Sequence, residues 1–317
     1  MTAQYDGPVI DSHHHFWDLA MGRHPWLAPG EGLPGLGDLA YLRHDYLPAH
    51  FEADSAGQDV AATICIEALW DASRDPLEEI DWFDRLQRRD GVAARYVARA
   101  DLAEPGAQQR LERLQTHARV AGVRETVRWH PDPARRWSEH PPMERMEWQR
   151  DVALLARRGL LLELLLFPWQ AEAVVGLAQK HPDLAIVVDH CASPIDRDED
   201  GLARWRQGLE SMGRAPNVYL KLSNFARYAA DGSVAAVRAV LRPCLEAFGP
   251  DRCLWGSDYP VARHTLPYGA TLQLFRRAIA ELTLSEQASI LFGNAARLYR
   301  VDSPDYLTPP SVSPLTK

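Results

Sequence analysis

The chain has few cysteines, no long apolar run and no basic tract. Cys65, Cys191, Cys244 and Cys253 are its only cysteines in 317 residues, and no two of them make a C-x-x-C pair. A disulfide frame is therefore not expected, whereas reduced thiols in a cytoplasm are. The most apolar stretch, Leu160 to Phe167, is too short to span a bilayer and is interrupted by Glu163. Met1 to Pro8 carries no basic segment leading into an apolar one, so no secretory leader is expected. Asp and Glu outnumber Lys and Arg by 43 to 35, a net charge of −8, which gives nucleic acid and anionic membranes nothing to hold. There is no internal repeat and no low-complexity tract. The partner class left is a small-molecule substrate, with the oligomeric state open.

What the chain does have is an ordinary globular composition, 46% hydrophobic and 25% charged, enough for a large core. Short β-rich segments recur at Pro8–Ser12, Ala62–Glu67, Ala93–Arg99, Val120–Arg124, Leu160–Leu166, Ala185–His190, Val218–Ser223 and Cys253–Ser257. The stretches between them are amphipathic. Val237, Val240, Leu241, Leu245 and Phe248 recur at helical spacing, and Trp148, Val152 and Leu155 share a face. Eight strand and helix units without a linker predict a single-domain α/β fold, a (β/α)8 TIM barrel over residues 1–300. Two Gly- and Pro-rich loops, about 19–51 and 129–142, interrupt the repeat and are expected to wall the barrel mouth. A Pro- and Ser-rich tail occupies 301–317.

In such a barrel the functional side chains fall at the carboxyl ends of the strands. Val9-Ile10 leads into Asp11-Ser12-His13-His14-His15-Phe16-Trp17, and alternation sends His13 and His15 one way and His14 the other. Two imidazoles at i and i+2 can chelate one divalent ion or polarise one carbonyl. Asp189-His190 ends the sixth strand, with His190 expected to face the site and Asp189 to orient a neighbour. Asp258 follows Leu254-Trp255-Gly256-Ser257; a carboxylate there can take a proton from water and return it to a leaving oxygen. Glu67 is a metal ligand, a partner for His15 or an acceptor for a substrate hydroxyl. Arg124 either grips a substrate carboxylate or carbonyl or forms a structural salt bridge. Glu163, costly inside an apolar strand unless paired, is expected to point into the polar end of the barrel. Trp26, Arg43, Arg128, His130 and Arg136 lie in or beside the long loops, within reach of a substrate.

Taken in order, Ile10 to Trp17, Gly122-Val123-Arg124, Val188-Asp189-His190-Cys191-Ala192-Ser193-Pro194, Lys221-Leu222-Ser223, Gly256-Ser257-Asp258-Tyr259-Pro260 and Phe292 to Tyr299 resemble the amidohydrolase superfamily, of the amidohydrolase 2 type. The likeness is to the branch of sugar lactonases, such as rhamnono- and fuconolactonases, and more distantly to 2-pyrone-4,6-dicarboxylate lactonase. It implies a hydrolase opening a sugar-derived or carboxylated lactone. Asp258 would be the general base and acid, while His13, His15 and His190, Arg124 or one divalent ion stabilise the oxyanion. His13, His15, His190 and Asp258 are the ligands implied for at most one ion, zinc, and a metal-independent reaction is the alternative. Binuclear relatives need a bridging residue after strand four and a histidine after strand five, where this chain has Arg124 and Phe167-Pro168, so two metals are not expected. Asn224 stands where a glycine is expected. A metal-dependent decarboxylase of the same superfamily is the competing reading.

Overall fold

A computed structural model describes residues 3–301, so the expected 301–317 tail lies outside the described residues except for Val301. One sheet carries eight parallel strands in chain order: β1 (Val9–His14), β2 (Val60–Ile66), β3 (Arg95–Ala98), β4 (Val120–Thr126), β5 (Leu161–Leu165), β6 (Ile186–Val188), β7 (Val218–Leu222) and β8 (Cys253–Trp255). Each is followed by a main helix: α1 (Pro48–Asp54), α2 (Leu77–Arg85), α3 (Ala107–Thr116), α4 (Met146–Arg157), α5 (Ala171–Lys180), α6 (Glu199–Gly213), α7 (Val234–Phe248) and α8 (Tyr268–Ala278). The seam between β8 and β1 is drawn together at the mouth. There Ser12 Oγ donates to the Trp255 carbonyl at 2.6 Å, the Asp258 amide to the His13 carbonyl at 2.8 Å and the His15 amide to the Tyr259 carbonyl at 2.9 Å. The architecture is the (β/α)8 barrel that the repeat of segments predicts.

Two apolar layers follow from strand alternation. Ile64 and Ile66 point into the barrel with Ile10, Val97, Leu161, Val187 and Leu254, while Cys65 between them joins the outer layer under the helices. Tyr299, from the helix Asn294–Tyr299, belongs to the inner layer. In α4 the expected face is the buried one, Trp148, Val152 and Leu155, each large apolar side chain contributing about 1.5–3 kcal/mol on full burial. All four cysteines are buried and unpaired. No helix among the described residues is long and apolar enough to cross a membrane.

The strand ends differ from expectation in ways that bear on the site. β1 runs two residues further than expected, through His14, with a register irregularity between Asp11 and His14. β3 starts at Arg95 rather than Ala93, because Ala93 is held at φ 49° with its amide bonded to Thr63 Oγ1. β6 stops at Val188, and His190, Cys191, Ala192 and Ser193 all have positive φ, 44–55°. A left-handed turn of side-chain-bearing residues costs roughly 1–2 kcal/mol per residue, and such strain is characteristic of functional sites. The indole of Trp205 in α6 braces it, donating to the Cys191 carbonyl at 2.7 Å.

Candidate active site

The seam that joins β8 to β1 also sets the central carboxylate against the histidines. Asp11, at the heart of β1, accepts from the His13 and Ser257 amides through Oδ1, at 3.1 and 2.8 Å, and from the Tyr268 hydroxyl through Oδ2 at 3.0 Å. It thereby pins the β8 terminus over β1. Asp258 follows at φ 58°. Its Oδ1 lies 3.5 Å from His15 Nε2, 3.6 Å from His13 Nε2 and 3.8 Å from His190 Nε2. Burial alone would raise the Asp258 carboxyl, but the imidazoles of His190, His15 and His13 outweigh it and hold it well below the usual carboxylate range. Burial acts oppositely on the rings, pushing His190 down to about 4, and His13 far down with help from the Lys221 charge.

His13, His15, His190 and Asp258 are therefore in one cluster, but in two layers. His15, His190 and Asp258 line a cavity of about 240 Å³, whereas His13 does not line it and is completely buried beneath. His14 points away: Nε2 meets Thr63 Oγ1 at 2.7 Å, and the ring packs 4.7 Å from both Phe16 and Phe51. His15 Nδ1 is 3.0 Å from the Ile66 carbonyl and 3.1 Å from that of Glu67. His190 Nδ1 is 2.8 Å from Ser223 Oγ. Asp189 lies under the floor, 3.5 Å from His13 Nδ1 and 4.0 Å from Arg124 Nη1.

Glu67 and Arg124 are spent largely on each other. Arg124 Nε donates to Glu67 Oε1 at 2.6 Å and Nη2 to the Glu67 carbonyl at 2.7 Å, while Glu67 Oε2 accepts from the Leu69 amide at 2.8 Å. Burial would raise Glu67, but Arg124 and Arg99 hold it low. Arg124 still lines the cavity; Glu67 does not, and lines the adjoining groove instead. Trp26 lines the cavity with its indole nitrogen tied to the Ala68 carbonyl at 2.8 Å. Arg43 and His130 are not lining residues: Arg43 reaches the Glu31 carbonyl, and His130 pairs with Asp196 at 3.2 Å. Long-loop side chains bond their own loop network first, which spacing along the chain does not reveal.

Arg128 is the loop residue that the structure brings forward. It is 6% exposed and lines the cavity between Trp137 and Phe167, 4.9 Å from each ring. Nη2 donates to Ser193 Oγ at 3.1 Å, Nε has no hydrogen-bond partner, and no carboxylate among the described residues lies within ion-pair distance. Burial lowers its pKa. Asn224 also lines the wall, at φ 50°. That left-handed backbone explains why a glycine is expected there and why asparagine, which tolerates it, serves. Lys221 and Asp11 carry no expected role, yet the alternation of Val218, Leu220 and Leu222 against Tyr219 and Lys221 marks the lysine as inward-facing.

The ligand atoms suit a metal ion. Among the described residues, His13 Nε2 and both oxygens of Asp258 are buried without a hydrogen-bond partner, and His13, His15 and Asp258 offer atoms within 4.8 Å of one another. A second group, His13, Asp189 and His190, shares His13 with the first.

Residues 10–301 match the amidohydrolase family. The chain belongs to that family. An L-fucono-1,5-lactonase of Burkholderia multivorans is 28% identical over 306 residues, covering 93% of this chain and 97% of the relative. A crystal structure of a Burkholderia multivorans amidohydrolase with bound zinc superposes with a TM-score of 0.76 at 25% identity, covering 93% of this chain and all of that one. A putative 2-pyrone-4,6-dicarboxylic acid hydrolase from Pseudomonas putida shares the fold, with a TM-score of 0.66 at 20% identity, over 93% of this chain and 98% of its own.

Proposed function

We propose that this amidohydrolase opens a lactone, with Asp258 as general base and then general acid. The observation that carries the reading is the Asp258 carboxylate itself: 1% exposed, free of hydrogen bonds and at the base of the cavity with three imidazole nitrogens facing one oxygen. Held ionised, Asp258 accepts a proton from the attacking water. Because the same imidazoles weaken it as a base, the transfer proceeds as the carbonyl is attacked, not before. The proton then passes to the departing ring oxygen. His190, at the cavity floor, polarises the carbonyl with Arg124 beside it. A bound divalent ion, zinc by the donor set of imidazole and carboxylate, would add Lewis-acid polarisation of that carbonyl, held by Asp258 and His15 with His190 beside them.

Within the lactones, the reading favours a carboxylated ring over a neutral sugar. A buried guanidinium without an anion is costly, and Arg128 is placed to receive one from the substrate. Trp26 supplies an apolar part of the cavity wall. Our reading puts this small-molecule hydrolase in a reducing cytoplasm, supported by its four buried free thiols.

The test is a pH-indicator screen over carboxylated and neutral lactones, before and after chelation, with Arg128→Met alongside. The substitution should raise KM for the carboxylated lactone by about 10–100-fold, the loss of a charge-assisted contact worth roughly 1.5–3 kcal/mol, and leave a neutral lactone unaffected. Carbon dioxide release from an aromatic acid, dependent on a tightly held metal and with no lactone turned over, would instead establish the decarboxylase.

A further inference from the structure

A lysine lies inside the barrel beneath the active-site floor. Lys221, on the inner face of β7, is 0% exposed, in a chain whose only other lysines are Lys180 and Lys317. Its Nζ donates to Glu163 Oε2 at 2.6 Å and to His13 Nδ1 at 3.2 Å. The other oxygen of Glu163 accepts from the Tyr299 hydroxyl at 2.5 Å. The inward direction expected of Glu163 is thus met by a buried ion pair, with its remaining oxygen also satisfied.

The Lys221 contact decides which nitrogen of His13 carries the proton. An ammonium offers only donors, so its approach to Nδ1 requires a lone pair there. Asp189 Oδ1 lies 3.5 Å from the same nitrogen, but among the described residues neither Asp189 oxygen is in a hydrogen bond. A neutral imidazole has one N–H, and with Nδ1 accepting it must sit on Nε2. That nitrogen faces Asp258 Oδ1. His15 is the opposite case: its Nδ1 faces carbonyl oxygens, which only accept, so neutral His15 carries its proton on Nδ1 and turns a lone pair toward Asp258.

We propose that Lys221 is a positioning residue that fixes the proton of His13 on Nε2, so that His13 turns an N–H toward Asp258 Oδ1, 3.6 Å away, instead of the lone pair a metal ligand needs. His13 lies behind the floor and not at the cavity, which suits a residue that orients the carboxylate without touching substrate. Metal ligation needs the Nε2 lone pair, so His13 and His15 do not act as an equivalent chelating pair, and in this tautomer each of the two groups close enough to hold an ion, His13, His15 and Asp258 or His13, Asp189 and His190, is one ligand short. With Lys221 removed, Asp189 becomes the neighbour of Nδ1. The proton then moves to Nδ1 and Nε2 gains the lone pair that zinc requires. None of this depends on which bond the enzyme cleaves.

Long-range proton–nitrogen correlation spectra of chelator-treated protein with 15N-labelled histidine read the tautomer directly, and His13→Gln identifies the resonances. His13 should show Nε2–H in the wild type and Nδ1–H in Lys221→Met/Glu163→Gln, where the second substitution avoids leaving a buried carboxylate unpaired. Zinc competition against a chromogenic chelator should show the double variant binding at least about tenfold more tightly, the scale on which partners of a ligand tune metal affinity. The gain should vanish when His13→Gln is added and be absent from Glu163→Gln alone. A wild-type spectrum with His13 protonated on Nδ1 overturns the proposal, as does a folded double variant with wild-type tautomer and zinc affinity. If the variant does not fold, the wild-type spectrum decides alone.

Discussion

Neighbouring histidines at the end of β1 have opposite fates, and substitution separates them. Asp258→Asn removes the proposed base while keeping the shape of the side chain, so turnover should fall by about 10²–10⁴-fold with an unchanged circular dichroism spectrum; near-normal turnover would sink the assignment. His14→Ala should do the reverse. Its ring is enclosed by Phe16, Phe51 and the Thr63 hydroxyl, so truncation leaves a core void and should cost roughly 2–4 kcal/mol of stability. Turnover per folded molecule should stay within a few-fold of wild type. A His14→Ala enzyme that melts normally but is inactive would mean that the side chains have been placed on the wrong faces. Strand alternation was enough to separate His14 from His13 and His15 in the bare sequence. It could not show that His13 sits one layer below His15, because alternation tells which face a side chain takes and not how deep it lies.

At the level of elements, the end of β6 is where local propensity gives way to the site. The sequence Val188-Asp189-His190 reads as continuing strand, yet the chain enters a left-handed turn at His190 that no propensity favours in residues with side chains. Tertiary bonds hold it: the Trp205 indole to the Cys191 carbonyl, and Ser223 Oγ against His190 Nδ1. Trp205→Phe keeps most of the buried ring but leaves that carbonyl without its donor, which should cost about 1–3 kcal/mol. The loss should also reach the chemistry, since His190 leaves the turn toward Asp258. A lower kcat with KM nearly unchanged is expected from steady-state kinetics, and a melting shift with unaltered kcat would show that the brace is structural only. The same tertiary control explains why strand existence was legible from eight apolar segments while strand ends were not. At Ala93, Asp189 and Ser257 the boundaries are set by partners distant in sequence.

For the whole molecule, the barrel could be read in advance from eight alternating strand and helix segments, and the convergence of His13, His15, His190 and Asp258 from the rule that functional side chains fall at the carboxyl ends of barrel strands. The directions of Arg43 and His130 could not, because loop side chains bond to whatever the folded loops bring near them. The fold also buries titratable groups whose pH dependences oppose one another. Burial pushes His190 down to about 4 and His14 to about 3, so both are neutral in the fold; the stability this confers is present above about pH 6.5 and lost as the pH falls toward those values. Burial pushes the carboxyls of Glu125 up to about 8, Glu163 to about 7 and Asp11 to about 6. These groups bind protons more tightly folded than unfolded, so their contribution is full below about pH 4 and is lost as the pH rises through each folded value. Stability should therefore decline on both sides of a mildly acidic to neutral optimum. Glu125 allows the alkaline arm to be tested away from the catalytic cluster. Its carboxyl accepts from the Leu102 amide and the Trp148 indole at 3.3 Å each. Glu125→Gln loses one of those acceptors at every pH, but it abolishes the titration. The fall in Tm between pH 5 and pH 9 should accordingly shrink by several degrees relative to wild type, whatever the offset between the two proteins at pH 5. Parallel melting curves across that range would mean that the Glu125 carboxyl ionises normally and that the alkaline loss arises elsewhere.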